Sequence, residues 1–220
     1  MDYYKQKQYL AEVDKNDKVL GEIEKWECHK KGVLHRGYTC ILIYKGSYIF
    51  QHRKHPVFDG VFDLSFSSHP LCHPELARPS KSEGRSGISG SDSKKQMLKR
   101  AIVLNDRERI QHDKIGLQSM EEAIYEGLKR EWNLKKGDLQ HEPKFLKKIY
   151  YKAKDPNSDY AEHEIDYIYK VELKNLPSPN FDFAYGFSLV EKNKLLTINY
   201  QLLTPILAPW AKVIIEDKLI

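Results

Sequence analysis

The 220-residue sequence lacks most features of secreted, membrane-spanning and nucleotide-loop proteins. Its three cysteines, Cys28, Cys40 and Cys72, are too few and too widely spaced for a disulfide framework, which favours a reducing compartment. It has no run of about 18 apolar residues and no apolar stretch near its first residue, so we expect a cytoplasmic protein without a membrane partner. It also has no glycine-rich phosphate loop, which excludes the P-loop class of nucleotide-binding proteins.

A strong excess of charge is absent as well. The 36 basic and 31 acidic residues leave a net charge of +5 that is spread along the chain. Such a surface does not predict a nucleic-acid partner, but it suits a small anionic substrate. Hydrophobic residues make up 40% of the chain, which is enough for a sizeable core. We therefore expect a single domain over residues 1–220.

The patterning predicts strands with few helices. "YLAEVDKNDKVLGEIEK" is typical of two strands around a turn, and "TCILIY" with "YIFQHR" predicts a hairpin. "KFLKKIYYKAKDPNSDYAEHEIDYIYKVEL" predicts two more strands around "DPNSD". Ser119 and Glu122 form a capping-box pattern before a helical apolar face that ends near Trp132. The tail is expected to be helical, with breaks at Pro205 and Pro209. This order indicates an α/β or α+β fold with a mixed sheet.

One stretch differs from the rest of the chain. Residues 77–118 are rich in Ser, Gly, Lys and Arg in their first half and contain few large apolar residues there. Such a composition does not bury enough surface to offset the entropy of ordering. We expect a mobile surface insertion, with a short helix in its second half.

Histidines and glutamates are the strongest candidates for chemistry. Three histidines and an E-x-E pair on a predicted strand supply the ligands of a divalent metal site: His29, His35, His69, Glu162 and Glu164. Taken singly, each pattern has a simpler interpretation. A His-x5-His pair is more often two unrelated strand or turn residues, and E-x-E on a strand is more often a solvated face. The metal hypothesis depends on the whole set.

Several motifs occur together in an order that resembles a known family: "GEIEKWECHKKGVLHRGYTCILIY", "FQHR", "SHPLCHPEL", "LKREWNL", "YYKAKDPNSDYAEHEIDYIY" and "APWAKVII". In this order they resemble the type 1 isopentenyl diphosphate isomerases, a branch of the Nudix superfamily. The resemblance implies a Nudix fold, with a mixed β-sheet sandwiched between helices. It also implies isomerisation of isopentenyl diphosphate to dimethylallyl diphosphate by a 1,3-allylic proton transfer.

The resemblance implies a role for each matching residue. It places one Zn²⁺ or Mn²⁺ on the five ligands named above, with Glu164 as the acid–base group beside the metal and Tyr151 near that glutamate. It also implies that Glu131 binds the Mg²⁺ that accompanies the diphosphate, and that the Trp210 ring faces the developing carbocation. It further implies that Arg53 and a second basic residue bind the diphosphate. The segment after Arg53 is about two residues shorter than in the family, so Lys54 or His55 takes the second place.

The sequence departs from the family at the catalytic cysteine, where it has Ser67. The reaction needs an acid on one face of the substrate and a base on the other. A thiol titrates near 8.5 and transfers protons near neutrality, whereas a serine hydroxyl without a neighbouring base does so poorly. We therefore expect an isomerase weakened by Ser67. Cys72 is a poor substitute because it lies three residues beyond His69.

Two other functions remain open. The first is a Nudix hydrolase of a nucleoside or other diphosphate, which normally uses several helical glutamates to gather Mg²⁺. Here only Glu131 matches that pattern, since Gly127 stands where one glutamate is expected, and Glu121, Glu122 and Glu126 are more typical of an exposed acidic face. The second is a non-catalytic diphosphate-binding protein, which Ser67 and the shortened segment favour.

Overall fold

The computed structural model describes residues 3–73, 115–197 and 206–220 of the chain. The strands are β1 (Tyr9–Val13), β2 (Val19–Glu24), β3 (His35–Tyr44), β4 (Ser47–Arg53), β5 (Phe62–Asp63), β6 (Phe66–Ser68), β7 (Leu71–Cys72), β8 (Lys144–Lys154), β9 (Ala161–Glu172) and β10 (Ala184–Glu191). The helices are α1 (Lys25–Lys31), α2 (Met120–Trp132), α3 (Lys192–Thr197) and α4 (Pro209–Glu216), with short 3-10 turns at Tyr3–Lys5 and Lys136–Asp138.

Within the described residues these strands form one mixed sheet. Its central path runs β10-β4-β3-β1-β2, and β9 lies beside β3 in the parallel direction while the other pairs are antiparallel. β8 pairs with β9, and the short strands β5, β6 and β7 pair with β4, β3 and β1. The predicted hairpins β1–β2, β3–β4 and β8–β9 are all present.

Alternation along β3 explains why helices cover both faces of the sheet. Tyr38, Cys40 and Leu42 point into a core with the helix α2, whereas Ile41 points into a second core with the helix α4. Both sets are nearly inaccessible to water. A strand buried on both faces is apolar throughout, which is why "TCILIY" shows no polar positions facing outward. The predicted mixed sheet between helices is therefore present in the described residues.

The helix α2 begins where its sequence predicts. The Ser119 hydroxyl accepts from the Glu122 amide while the Glu122 carboxylate accepts from the Ser119 amide, so the capping box is complete. Gly127 lies at the closest approach of this helix to the sheet. A Cβ atom there would collide with the Tyr38 hydroxyl and would lie 2.6 Å from the Phe66 ring. The glycine at the position where a hydrolase has a glutamate is thus required by packing.

The helix α1 and the strand β10 were not predicted, whereas the helix α3 lies at the start of the tail, which was predicted to be helical. The tail was predicted as a helix broken by Pro209, but Pro209 instead occupies the first position of α4. Proline suits that position because its missing N–H would have had no partner in the helix. Pro205 lies outside the described residues, as do residues 77–114 of the expected insertion. The end of that stretch, residues 115–118, is described, and Leu117 bridges to Cys72 of β7.

All three cysteines are free and buried. Among the described residues, no helix has the length and apolar character needed to cross a membrane.

Candidate active site

Three histidines and two glutamates predicted as metal ligands converge on one face of the sheet. His35 is the first residue of β3, and in the parallel register it stands directly beside Glu164 of β9. Glu162 shares this face because it lies two residues earlier on the same strand. The helix α1 adds His29, and the residue after β6 is His69. Each of the five is at most 8% exposed.

The facing atoms of this cluster are close enough to bind one ion. The Nε2 atom of His29 lies 3.1 Å from Glu162 Oε2, and the Nε2 atom of His69 lies 2.8 Å from Glu164 Oε1. His35 Nε2 lies 3.4 Å from Glu164 Oε1 and 3.7 Å from Glu162 Oε2. One ligand atom from each of His29, His35, His69 and Glu162 can be chosen so that all four lie within 4.8 Å of one another. Glu164 contacts two of these histidines.

The hydrogen bonds of the His29 and His35 rings leave their Nε2 atoms facing the carboxylates. Nδ1 of His29 lies 2.6 Å from the Lys25 carbonyl oxygen, and Nδ1 of His35 lies 2.8 Å from the Val33 carbonyl oxygen. A carbonyl only accepts, so Nδ1 carries the hydrogen and the Nε2 atom of a neutral ring presents a lone pair to the carboxylates. The buried atoms His29 Nε2 and Glu162 Oε2 have no hydrogen bond within the described residues. A divalent cation between them would satisfy both.

The pKa values of the two carboxyl groups and of His69 favour ionised carboxylates and a neutral ring, whereas that of His35 favours a protonated ring. Burial would raise the pKa of both carboxyl groups, but the histidines outweigh it and lower the pKa of Glu162 and Glu164, so both favour the ionised form. Burial lowers the pKa of His69 to about 4, which keeps that ring neutral. For His35, the Cys28 thiol and Glu164 outweigh burial and raise the pKa. Nitrogen and carboxylate oxygen ligands of this kind suit Zn²⁺ or Mn²⁺.

Tyr151 and Trp210 lie beside the metal-ligand cluster. The Tyr151 hydroxyl donates a hydrogen bond to Glu164 Oε2, because these residues face each other across β8 and β9. The Tyr151 ring packs against Trp210 of α4 with ring centres 5.7 Å apart. The guanidinium of Arg53 lies over the Trp210 ring at 5.3 Å, so the ring already contacts a cation. The predicted residues Tyr151, Trp210 and Arg53 are thus brought together.

Ser67 has the neighbouring base that the sequence analysis did not give it. Its hydroxyl lies 3.3 Å from Asp63 Oδ1 and 2.8 Å from the Thr39 hydroxyl. Asp63 is fully buried, accepts a 2.7 Å hydrogen bond from Trp210 Nε1, and lies 3.4 Å from Arg53. Burial raises the pKa of Asp63 to about 6. No sequence motif indicated this contact, because it depends on the turn between β5 and β6.

The two candidate diphosphate ligands differ in environment. Arg53 is 5% exposed and is held by Asp63 and by the Val57 carbonyl. Lys54 is exposed and donates to the Phe181 carbonyl at 3.2 Å, so of these two residues only Arg53 points into the interior. The alternative, His55, accepts a hydrogen bond at Nδ1 from the Val57 amide, and burial lowers its pKa well below the usual range. Neither residue extends the buried positive charge of Arg53.

Lys25 is a buried cation on α1 that no sequence pattern indicated. Its ammonium is surrounded by the rings of Tyr3, Tyr4 and Trp26 at 5.0 to 5.7 Å and donates to Gln8 Oε1. Burial, aided by the positive charges of Arg130 and Arg53, lowers its pKa to about 7. Lys25 lies one helical turn before His29, and this spacing would have placed both on one face only if α1 had been predicted.

The predicted magnesium ligand is Glu131 of the helix α2. It is 6% exposed at the end of α2, and its Oε1 atom accepts from Arg130 at 2.9 Å. The other helical glutamates, Glu121, Glu122 and Glu126, are exposed. The acidic helix face expected from the sequence is therefore present, and Glu131 alone among these four is buried.

A cleft of about 700 Å³ opens next to the buried cations. The residues that line it include two of the rings around Lys25 and both residues that follow Arg53: Tyr3, Tyr4, Lys54, His55, Pro56, Asp59, Asp182, Phe183 and Tyr185. The aromatic members of this lining suit an organic group, and the cations behind it suit an anion.

No family model matches the chain. Individual proteins do. The chain is similar over most of its length to isopentenyl-diphosphate delta-isomerases. One from Candida albicans is 27% identical over 220 residues, covering 94% of this chain and 70% of the relative. One from Bos taurus is 28% identical over 204 residues, covering 86% and 74%.

A shorter match is closer in sequence. Isopentenyl-diphosphate delta-isomerase 2 from Homo sapiens is 41% identical over 73 residues, which is 30% of this chain and 32% of that protein. Among solved structures, a Deinococcus radiodurans protein matches with a TM-score of 0.55 at 14% identity, covering 94% of this chain and 98% of that one. At that identity the match supports a shared fold and does not indicate a shared activity.

Proposed function

We propose that the protein is an isopentenyl-diphosphate delta-isomerase in which Ser67 replaces the family's catalytic cysteine. The convergence of His29, His35, His69, Glu162 and Glu164 is the observation that carries this proposal. It is supported by relatives bearing that name that align with 86% and 94% of this chain.

The proposed site binds a diphosphate by its buried positive charge. Arg53 and Lys25 are both buried, and Arg130 lies close enough to influence the pKa of Lys25. Ion pairing with the negatively charged diphosphate would offset the free-energy cost of burying these cations. Glu131, between Arg130 and the Asn180 loop, is the residue that would reach the Mg²⁺ that accompanies the diphosphate. We place the isoprenoid end against Trp210.

The proposed chemistry is a proton transfer across three carbons. Glu164 acts on one face of the alkene, because its carboxylate is held by Tyr151 and by two histidines. Trp210 offers a π face to the cationic transition state. Burial excludes water, which would otherwise trap a tertiary cation. A divalent ion on the histidine cluster would supply positive charge that fixes the protonation of Glu164.

The helical glutamates weigh against the hydrolase. Glu121, Glu122 and Glu126 point to solvent, and Gly127 is fixed by its contact with Tyr38 and Phe66. Gathering Mg²⁺ on this helix would need several buried carboxylates, and among the four glutamates of α2 only Glu131 is buried.

One assay separates the three functions. The protein is incubated with Mg²⁺, Zn²⁺ or Mn²⁺ and either isopentenyl diphosphate or a panel of nucleoside diphosphates. Dimethylallyl diphosphate in the first set is the expected result. Release of phosphate or a monophosphate in the second set, with no isomerisation, would favour the hydrolase. Saturable binding of isopentenyl diphosphate with neither product would favour the non-catalytic protein.

A further inference from the structure

The strand β10 is an open edge of the sheet. It pairs with β4 along one side, and no strand of the described residues lies on its other side. The strands β2 and β8 likewise have one neighbour each. The backbone N–H and C=O groups along such an edge are available to pair with another strand. Whether an edge does so depends on the side chains that it carries.

The three edges differ in charge. The strand β8 reads "KFLKKIYYKAK" and carries five lysines without an acid, and β2 reads "VLGEIE" with two glutamates. Pairing either edge with its own copy would bring like charges together, which prevents the contact. The strand β10 reads "AYGFSLVE", and its one charge, Glu191, is at the last position and lies 2.9 Å from Lys194. Of these three edges, β10 alone lacks charges that would prevent self-pairing.

Large apolar side chains are exposed along the same edge. Tyr185 is 52% exposed and Leu189 is 45% exposed, and Phe181, which precedes the strand, is 60% exposed. A single exposed apolar residue is ordinary, but three within nine residues beside an open edge indicate an interaction surface. Aromatic and aliphatic side chains also favour strand pairing.

Charged residues flank β10 with opposite signs. Asp182 lies before the strand and Lys192 follows it, and both are exposed. Within the described residues neither side chain has an ion-pair partner. In an antiparallel pair the start of one strand lies beside the end of the other, so two copies of β10 would bring Asp182 close to Lys192. A parallel pair would bring like charges together instead.

The register with Phe187 on a twofold axis matches these residues. Asp182 precedes Phe187 by five positions and Lys192 follows it by five, so the two would face each other across the pair. Tyr185 and Leu189 are likewise equally distant from Phe187. The irregularity between Ala184 and Gly186 shifts this count by about one residue, which the long side chain of Lys192 can span. The axis repeats every contact, giving two ion pairs and two apolar contacts.

We propose that a second copy of this chain occupies the β10 edge, forming a twofold dimer in which one sheet continues through both protomers. An interface of this kind uses the same surface on each copy and closes without leaving a further site for growth. Asp182 and Tyr185 also line the cleft of about 700 Å³, so each protomer would lie at the rim of its partner's cleft. The inference does not depend on the proposed function.

The first test measures the oligomeric state. Sedimentation equilibrium of the wild type between about 1 and 100 μM should show a dimer that dissociates on dilution. Leu189→Lys places a charge on the edge, as β8 does, and should give a monomer throughout this range. Leu20→Lys is the matched control, because Leu20 is 52% exposed on the β2 edge and should leave the dimer unchanged. Thermal melting checks that both variants fold.

The second test exchanges the flanking charges. Asp182→Lys and Lys192→Asp should each weaken dimerisation on the order of tenfold, because each turns two attractive pairs into two repulsive ones. The two substitutions together should restore the wild-type affinity, since they recreate the pairs with exchanged signs. Asp159→Lys, at an exposed carboxylate in the turn between β8 and β9, should have no effect.

Several results would overturn the inference. A wild type that remains monomeric at about 100 μM would do so, and protection of the β10 amides from hydrogen exchange in that monomer would show that another part of the chain covers the edge. A dimer that survives Leu189→Lys would show that another surface associates. A combined charge exchange that fails to restore affinity would show that Asp182 and Lys192 do not face each other.

Discussion

His35 and Glu164 stand side by side on the parallel strands β3 and β9, and His35 Nε2 lies 3.4 Å from Glu164 Oε1. The residues are far apart in the sequence, so only the register of these two strands brings them together. That register also aligns Thr39 with the strand that carries Asp166. One strand pairing therefore positions both the metal-ligand cluster and the Thr39 hydroxyl that contacts Ser67.

The metal-ligand cluster predicts selective loss of metal binding. His29→Gln should lower the affinity for Zn²⁺ or Mn²⁺ by more than the roughly 10- to 100-fold that follows from losing a hydrogen-bond partner of a ligand. His52→Gln is the matched control, because His52 stacks on Phe62 and lies outside the cluster. Metal titration of chelator-treated protein measures both. Equal affinity in the two variants would show that His29 binds no metal.

Gly37 predicts a steric effect at Glu164. A Cβ atom at Gly37 would lie 2.5 to 2.6 Å from three atoms of the Glu164 carboxylate, which is closer than real contacts allow. Gly37→Ala should therefore displace Glu164 and reduce both metal affinity and isomerisation. Gly21→Ala is the control, since a Cβ there meets nothing within 4 Å. If Gly37→Ala leaves metal affinity and turnover at the level of Gly21→Ala, Glu164 is not where the site needs it.

Asp17 predicts a pH-dependent contribution to folding stability. Burial would raise its pKa, but Arg36, Lys148 and Tyr167 outweigh burial and lower it. A lowered folded-state pKa stabilises the protein above the unfolded-state value near 4, and this stabilisation is lost as pH falls through the folded-state pKa. Asp17→Asn should cost about 1–3 kcal/mol at pH 7.

The cost of Asp17→Asn should shrink as pH drops below about 4, because Asp17 of the wild type then becomes protonated as well. Urea unfolding at several pH values measures this trend. Asp159→Asn, at an exposed carboxylate, is the control and should be nearly neutral throughout. A cost for Asp17→Asn that does not change with pH would contradict the assignment.

Ser67→Cys should increase the isomerisation rate, because it restores a group that titrates near neutral pH opposite Glu164. The gain should be on the order of 10²-fold. Glu164→Gln added to Ser67→Cys should abolish the gain. Initial rates at saturating metal and substrate measure both effects. A Ser67→Cys variant that binds metal and substrate but is no faster would contradict this role of Ser67.

Local patterns predicted much of the fold. The capping box of Ser119 and Glu122, the turn at "DPNSD" and the hairpin of β3 and β4 depend on residues near one another in the chain. The helix α1 was missed because seven residues are too short for a clear 3.6-residue period. Since α1 carries both His29 and Lys25, missing it also hid the buried cation.

Part of the candidate site could also be predicted from the sequence. The five residues predicted as metal ligands could be named from a resemblance that covers much of the chain, and they lie together. The contact of Ser67 with Asp63 was not predictable, because it depends on how β5 turns into β6 and on the positive φ of Ser65 in that turn. The hydrogen bond from Thr39 to Asp166 depends in addition on the pairing of β3 with β9, which no local pattern specifies.

Proton NMR of isopentenyl diphosphate in D₂O tests the central claim most directly. Protein loaded with Zn²⁺ or Mn²⁺ and supplied with Mg²⁺ should convert the substrate to dimethylallyl diphosphate, with deuterium entering the newly formed methyl group. Conversion should be slow for the wild type and faster for Ser67→Cys. If the metal-loaded Ser67→Cys variant binds isopentenyl diphosphate but neither converts it nor exchanges its allylic protons, the protein is not an isomerase.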